Sequence, residues 1–136
     1  EHGQTEQGRD ELDRPLHGSR VAGLGAAFKR DIDDARNSAA IRVMEILRSE
    51  GAEIEYHDPH VSEIGLRASL HGPGDERVLL RSRPLQEEWI RSVDCVAILV
   101  AHSRVDYEMV LRNARAVFDA VNATTGRGVG ALVARL

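Results

Sequence analysis

From Cys95 to Ala101 the chain reads CVAILVA, apolar without a break. A strand with one face in water alternates apolar and polar residues, and a membrane helix needs ~20 apolar residues in a row. An unbroken run of this length, preceded by Asp94 and followed by His102 and Ser103, is therefore a strand covered on both faces, the middle strand of a parallel sheet. The rest of the chain supplies what such a strand needs. Strand-like runs lie at Arg20 to Leu24, Glu53 to His57, Arg77 to Leu80 and Ala116 to Val121. Between them Ala40, Val43, Met44 and Leu47 recur at helical spacing, with Asn37 or Ser38 as the N-cap and Gly51 as the stop. A second helix is expected from Pro84, carrying Leu85, Glu88, Trp89 and Ile90, and a third from Tyr107 to Asn113 behind Asp106. Glu63 to Glu76, with Gly65, Gly72, Pro73 and Gly74, reads as an excursion, and Leu132 to Leu136 ends a Gly-rich remainder. Alternation of this kind predicts an α/β, Rossmann-like three-layer domain with a mostly parallel sheet of about five strands.

Residues 1–17 are polar and lack an apolar period, so they read as a tail or linker, and 18–136 as the folded domain. Aromatic residues make up 4% of the chain, which leaves the core to Val, Ile, Leu and Ala. With 18 basic and 22 acidic side chains the net charge is −4, and no electrostatic reason exists to expect nucleic acid or an anionic membrane as partner. Any recognition of phosphate must be local. The single cysteine, Cys95, excludes an internal disulfide and a cysteine-rich zinc site; it fits a reducing compartment, so a cytoplasmic protein is expected.

Chemistry concentrates in GLGAAFKRDIDDARNSAA, Gly23 to Ala40. It opens like a dinucleotide-binding turn, but Phe28 stands where the third small residue belongs, and a charged stretch delays the helix that would hold a pyrophosphate. Asp58, the acidic residue after the second strand, lies farther along than the ~20 residues at which a ribose-binding carboxylate is expected. A free-standing NAD-binding domain is thus disfavoured, and a tight strand-to-loop turn needing small residues is the plainer reading. Lys29 and Arg36 could be solvated charges partnered by Asp31, Asp33 and Asp34. Their position, between a strand end and a helix start, is nevertheless where open α/β sheets collect anions, and a compact ammonium and a planar guanidinium suit different anionic groups.

Other reactive residues carry less. His57, Asp58 and His60 cluster in YHDPH, but Pro59 splits them and nothing completes a ligand set at a convincing spacing, so no metal is predicted. Cys95 sits among Val, Ile and Leu without a partner base, which marks it as packing rather than a nucleophile. His102 and Ser103 lie at a strand edge without a GxSxG elbow, and no catalytic residue is assigned.

Taken together, these segments resemble the C-terminal, UDP-binding domain of the UDP-glucose/GDP-mannose dehydrogenase family. GLGAAFKRDIDDARNSAA is similar to its GLxxKxxxDDxRxSP signature, and YHDPH, DCVAILVAHS, VDYEMV and FDAVNATTG are similar to later landmarks in the same order. HDPH, VDYEMV and VNAT most resemble the branch acting on UDP-N-acetylglucosamine and related UDP-N-acetylhexosamines. The resemblance implies oxidation of a sugar C6 alcohol to the carboxylate by two NAD-dependent hydride transfers. It implies that Phe28 and Lys29 contact the UDP-sugar and that Arg36 reaches the phosphates of NAD. It implies partner domains as well, an N-terminal NAD-binding one and a central catalytic one, with a homo-oligomer among the arrangements it allows. Three positions depart from the family pattern: Val121 where an arginine would grip nucleotide, Ala39 where Pro would follow Ser38, and Ala101 where aspartate would precede His102. A non-catalytic remnant or interaction module that keeps the fold is the alternative.

Overall fold

The computed structural model describes residues 17–31, 34–35, 38–70, 72, 74, 76–125 and 132–135. The first strand, β1 (Arg20–Leu24), leads to helix α1 (Ala39–Ser49) and strand β2 (Glu53–His57). Strands β3 (Glu63–Arg67) and β4 (Arg77–Arg81) follow, then α2 (Glu87–Ser92), β5 (Cys95–Ile98), α3 (Tyr107–Asn113), β6 (Ala116–Asp119) and β7 (Leu132–Arg135). Five strands form one sheet in the order β2-β1-β5-β6-β7, and every pairing in it is parallel. The expected α/β, Rossmann-like architecture with a mostly parallel sheet is what these elements form, with β5 in the middle.

Side-chain alternation assigns the two faces. Val21 and Ala97 turn toward α1 and pack with Met44, Ile54 and Tyr56, whereas Ala22, Leu24, Val96 and Ile98 turn toward α2 and α3 and pack with Trp89, Ile90, Val110 and Leu111. Each fully buried aliphatic side chain contributes about 1.5–3 kcal/mol, so the sheet is held from both sides by ordinary apolar burial. Helix α1 begins where Ser38 Oγ accepts from the N–H groups of Ala40 (3.1 Å) and Ile41 (3.4 Å). The same hydroxyl donates to the carbonyl of Ala27 at 3.3 Å, which ties the helix start to the glycine loop. Gly51, at φ +102°, ends the helix in a conformation that side chains resist. No helix among the described residues is long and apolar enough to cross a membrane.

The excursion expected over Glu63 to Glu76 is corrected by a second, two-stranded sheet. Glu63–Arg67 pairs antiparallel with Arg77–Arg81, Gly65 opposite Leu79. Ile64 and Leu66 are buried against α1, and α1's own buried Glu45 accepts from the Arg67 N–H at 2.8 Å. Gly65 masks this strand in the sequence because it takes the place of an outward side chain. The second helix starts at Glu87 rather than Pro84, since Arg83 is held extended beside β2: its N–H donates to the carbonyl of Tyr56 at 2.8 Å, and its carbonyl lies 2.6 Å from His57 Nδ1. The central strand is shorter than its apolar run, ending at Ile98, because the N–H groups of Leu99 and Val100 both turn to the carbonyl of Leu24. β6 likewise stops at Asp119, whose carboxylate folds the next residues around itself. Leu132–Arg135, unassigned by sequence pattern, completes the sheet beside β6. Residues 1–16, the bulk of the expected tail, lie outside the described residues.

Candidate functional site at the sheet's switch point

The chain leaves β1 toward β2 on one side of the sheet and later returns past β1 to lay down β5 on the other. Such a reversal opens a crevice between two neighbouring strand ends, here those of β1 and β5, and ligands of open α/β sheets bind there. The loops that meet in this crevice are the glycine turn after β1, the HDPH segment after β2 and the Leu99–Ser103 segment after β5.

Gly25 makes the crevice narrow. Its φ is +100°, and a Cβ placed on it would lie 2.6 Å from Val100 Cβ and 2.7 Å from the Val100 backbone nitrogen. Just beyond it, the N–H groups of Ala26 and Ala27 donate to Asp58 Oδ2 at 2.7 and 3.1 Å. In a dinucleotide-binding turn such N–H groups serve the ligand's pyrophosphate. Here the protein's own carboxylate occupies them. Asp58 is 3% exposed, and its Oδ1 accepts from the His60 N–H at 2.7 Å. Burial pushes this carboxyl up, but the bonds from Ala26, His60 and His102 outweigh it and hold the group below the usual carboxylate range.

His102 is the link between loops. Its ring is fully buried, Nδ1 accepts from the Asp31 N–H at 2.8 Å, and Nε2 lies 2.8 Å from Asp58 Oδ2. Since Nδ1 accepts, the ring hydrogen is on Nε2 and is donated to Asp58. Asp31, at φ +61°, is fastened in turn by Ser103, whose N–H and hydroxyl donate to its two carboxylate oxygens at 2.9 and 3.0 Å. The Ser103 N–H is the main reason that the Asp31 carboxyl is lowered. One hydrogen-bonded chain therefore runs from the glycine turn through Asp58 and His102 to Asp31.

That chain fixes where the predicted ligand-binding residues begin. Phe28 is 51% exposed, and Lys29 Nζ lies 6.0 Å from the centroid of its ring. Both project from the loop between the anchored Ala27 and the anchored Asp31. Arg36, the third predicted site residue, lies outside the described residues. Cys95 is partly buried, and burial pushes its thiol up, as a packing residue requires. Sequence reasoning offered Asp31 only as a charge partner for Lys29 and Arg36, and did not assign Arg30 or Asp119 to the site. Arg30 and Val121 help to line a cavity of about 250 Å³ at the ends of β5 and β6, together with His102, Ser103 and Tyr107. Asp119 accepts from the N–H groups of Val121, Ala123 and Thr124 and so shapes the wall on which Val121 stands. Asp58 and His102 were each visible as strand-end residues, but nothing in the sequence pairs them.

Residues 22–126 match the model of the UDP-glucose/GDP-mannose dehydrogenase family, UDP binding domain. Similar proteins include a UDP-N-acetyl-D-mannosamine dehydrogenase of Campylobacter jejuni, 36% identical over 90 residues that cover 65% of this chain and 20% of the relative. A UDP-glucose 6-dehydrogenase of Gallus gallus is 35% identical over 65 residues, 48% of this chain and 13% of the relative. Among solved structures, a UDP-D-ManNAc dehydrogenase from Pyrococcus horikoshii superposes with a TM-score of 0.67 at 21% identity, over 98% of this chain and 29% of that one, and shares the fold. The chain thus spans about a fifth or less of the curated relatives it matches. With the match extending from β1 to just beyond the Asp119 turn, the chain belongs to the UDP-glucose/GDP-mannose dehydrogenase family and carries its UDP-binding domain.

Proposed function

We propose that this domain closes over the UDP moiety of a nucleotide sugar, with Phe28 and Lys29 as its contacts and Arg36 as a contact to the phosphates of NAD. The reaction served is the NAD-dependent oxidation of the C6 alcohol of a UDP-hexose or UDP-N-acetylhexosamine to the carboxylate. NAD-binding and catalytic domains, in a longer chain or a partner chain of a homo-oligomer, supply the hydride acceptor and the nucleophile, in the cytoplasm. The observation that carries this reading is the anchored turn: Asp58 takes the Ala26 and Ala27 N–H groups, so the loop is held rigid while Phe28 and Lys29 stay free to meet a ligand. It also argues that NAD does not sit on this turn, because the donors a pyrophosphate would use are occupied. NAD is then met across a cleft, by Arg36.

Isothermal titration of the chain with UDP and with NAD tests the reading. Binding of UDP is expected, with Lys29→Ala weaker by about tenfold or more, the loss of one charge-assisted bond. No heat with UDP, or undiminished binding in Lys29→Ala, overturns it. A second reading, a remnant that keeps the fold without turnover, is favoured by Val121, which is 39% exposed on the cavity wall where the family arginine would stand. Val121→Arg separates the two. Tighter UDP binding points to an eroded nucleotide site, and no change points to another use of the surface.

A further inference from the structure

We propose that Asp31, His60 and His102 form a binding site for a divalent transition-metal ion of the zinc class, which would fasten together three loops at the switch point. The proposal stands on the geometry of these side chains and is independent of the UDP reading. They come from the loops after β1, β2 and β5, and their ligand atoms all lie within 4.8 Å of one another. His102 Nδ1 is 3.6 Å and His60 Nε2 is 3.8 Å from Asp31 Oδ1. Ligands bound tetrahedrally to zinc at their usual lengths lie roughly 3.4 Å apart, so closure needs shifts of a few tenths of an ångström along these two edges and a larger one along the third, between the two histidine nitrogens, which lie up to 4.8 Å apart. Two imidazoles and one carboxylate with a fourth position open is a donor set that zinc accepts.

An independent observation at His60 points to a ligand. Its Nε2 is shielded from solvent and has no hydrogen-bond partner among the described residues, although it faces the carboxylate. A buried ring nitrogen left unpaired is unfavourable, and the absence of a partner calls for an explanation. The surrounding bonds are those that prepare metal ligands. Asp58 accepts from His102 Nε2 and thereby directs the lone pair at Nδ1 toward Asp31, and Ser103 holds the Asp31 carboxylate through both oxygens. One contact opposes closure: the Asp31 N–H bonds to His102 Nδ1 and must be released when the metal arrives. The exchange is local, since Asp31 is an exposed loop residue whose carboxylate is already beside the ring. The rings of His60 and His102 meet edge to face with centroids 4.8 Å apart, so the two imidazoles are already neighbours.

Because Asp31 stands just beyond Lys29, an ion here would also restrict the segment that presents Phe28 and Lys29. The test is titration of the chelator-treated, untagged chain with zinc chloride and, separately, with cobalt chloride. One ion per chain is expected, with micromolar or tighter affinity, a raised melting temperature and the intense visible absorption of four-coordinate cobalt. His60→Ala and Asp31→Asn should each weaken zinc binding at least about tenfold and abolish the cobalt bands. Among the described residues the His60 side chain makes no hydrogen bond, so in His60→Ala the folded state should persist, as circular dichroism would verify. Absence of saturable binding, millimolar affinity only, weak octahedral cobalt bands, or retention of binding in His60→Ala through the other histidines would each overturn the proposal. Zinc binding with no response to UDP would leave it intact while removing the nucleotide reading; the reverse result would do the opposite.

Discussion

Asp58 shows how one side chain can tie three loops together. Three donors converge on Oδ2, the N–H groups of Ala26 and Ala27 and the Nε2–H of His102, while Oδ1 serves His60. An asparagine can offer one oxygen to this set, and its amide hydrogens would then face the His60 N–H. Asp58→Asn should lower stability by about 1–3 kcal/mol, the effect of leaving buried donors unpaired. Urea denaturation measures it, and UDP affinity should fall with it because the Phe28–Lys29 loop loses its anchor. Unchanged stability would mean that the turn is held by packing alone. Legibility at this scale was partial. Asp58 and His102 stood out at strand ends, yet a carboxylate turned inward and one turned toward substrate have the same local sequence.

At the scale of elements, the turn between β1 and the loop is decided by how closely β5 approaches. Gly25→Ala would bring a Cβ to 2.6 Å from Val100 Cβ and 2.7 Å from its backbone nitrogen, at a φ of +100°. Backbone cannot step aside cheaply. Gly23→Ala meets instead the Met44 sulfur at 3.0 Å, the flexible part of a side chain that can yield. Thermal melting should therefore show a loss of roughly 1–3 kcal/mol or more for Gly25→Ala and a clearly smaller one for Gly23→Ala. Equal losses would contradict the close approach of β5. Strand β1, β2, helix α1 and helix α3 match the sequence reading because their signals are local: alternation, helical spacing, and Ser38 and Asp106 as caps. Strand β4 was read at Arg77 to Leu80, but β3 and its pairing with β4 were not legible, since Gly65 breaks the alternation and the partner strand lies beyond a loop of glycines and proline.

For the whole molecule, acid should be the weakness. Asp31, Glu55, Asp58 and Asp119 are all held below their ordinary values of 3.8 for aspartate and 4.5 for glutamate. A carboxylate whose folded pKa is depressed binds fewer protons folded than unfolded, so its stabilising effect is complete above the unfolded pKa and is lost as the pH falls through the folded one. The urea midpoint should be level above about pH 5 and decline steadily below about pH 4. In Asp58→Asn the decline should be shallower. A midpoint that stays flat in acid would show that these bonds do not differ between folded and unfolded chain.

The class of fold and the family could be read from the residues in order, because an aliphatic, doubly buried central strand, helical spacing and a continuous loop motif are properties of neighbouring residues. Lys29 and Phe28 lie in that motif and are proposed from it as ligand contacts. What surrounds them depends on how the chain crosses itself. The strand order places the ends of β1 and β5 side by side, and only then do Asp31, Asp58, His60 and His102 meet across long stretches of chain. Interactions that depend on chain crossing leave no local period to read, and they are the ones that anchor this site.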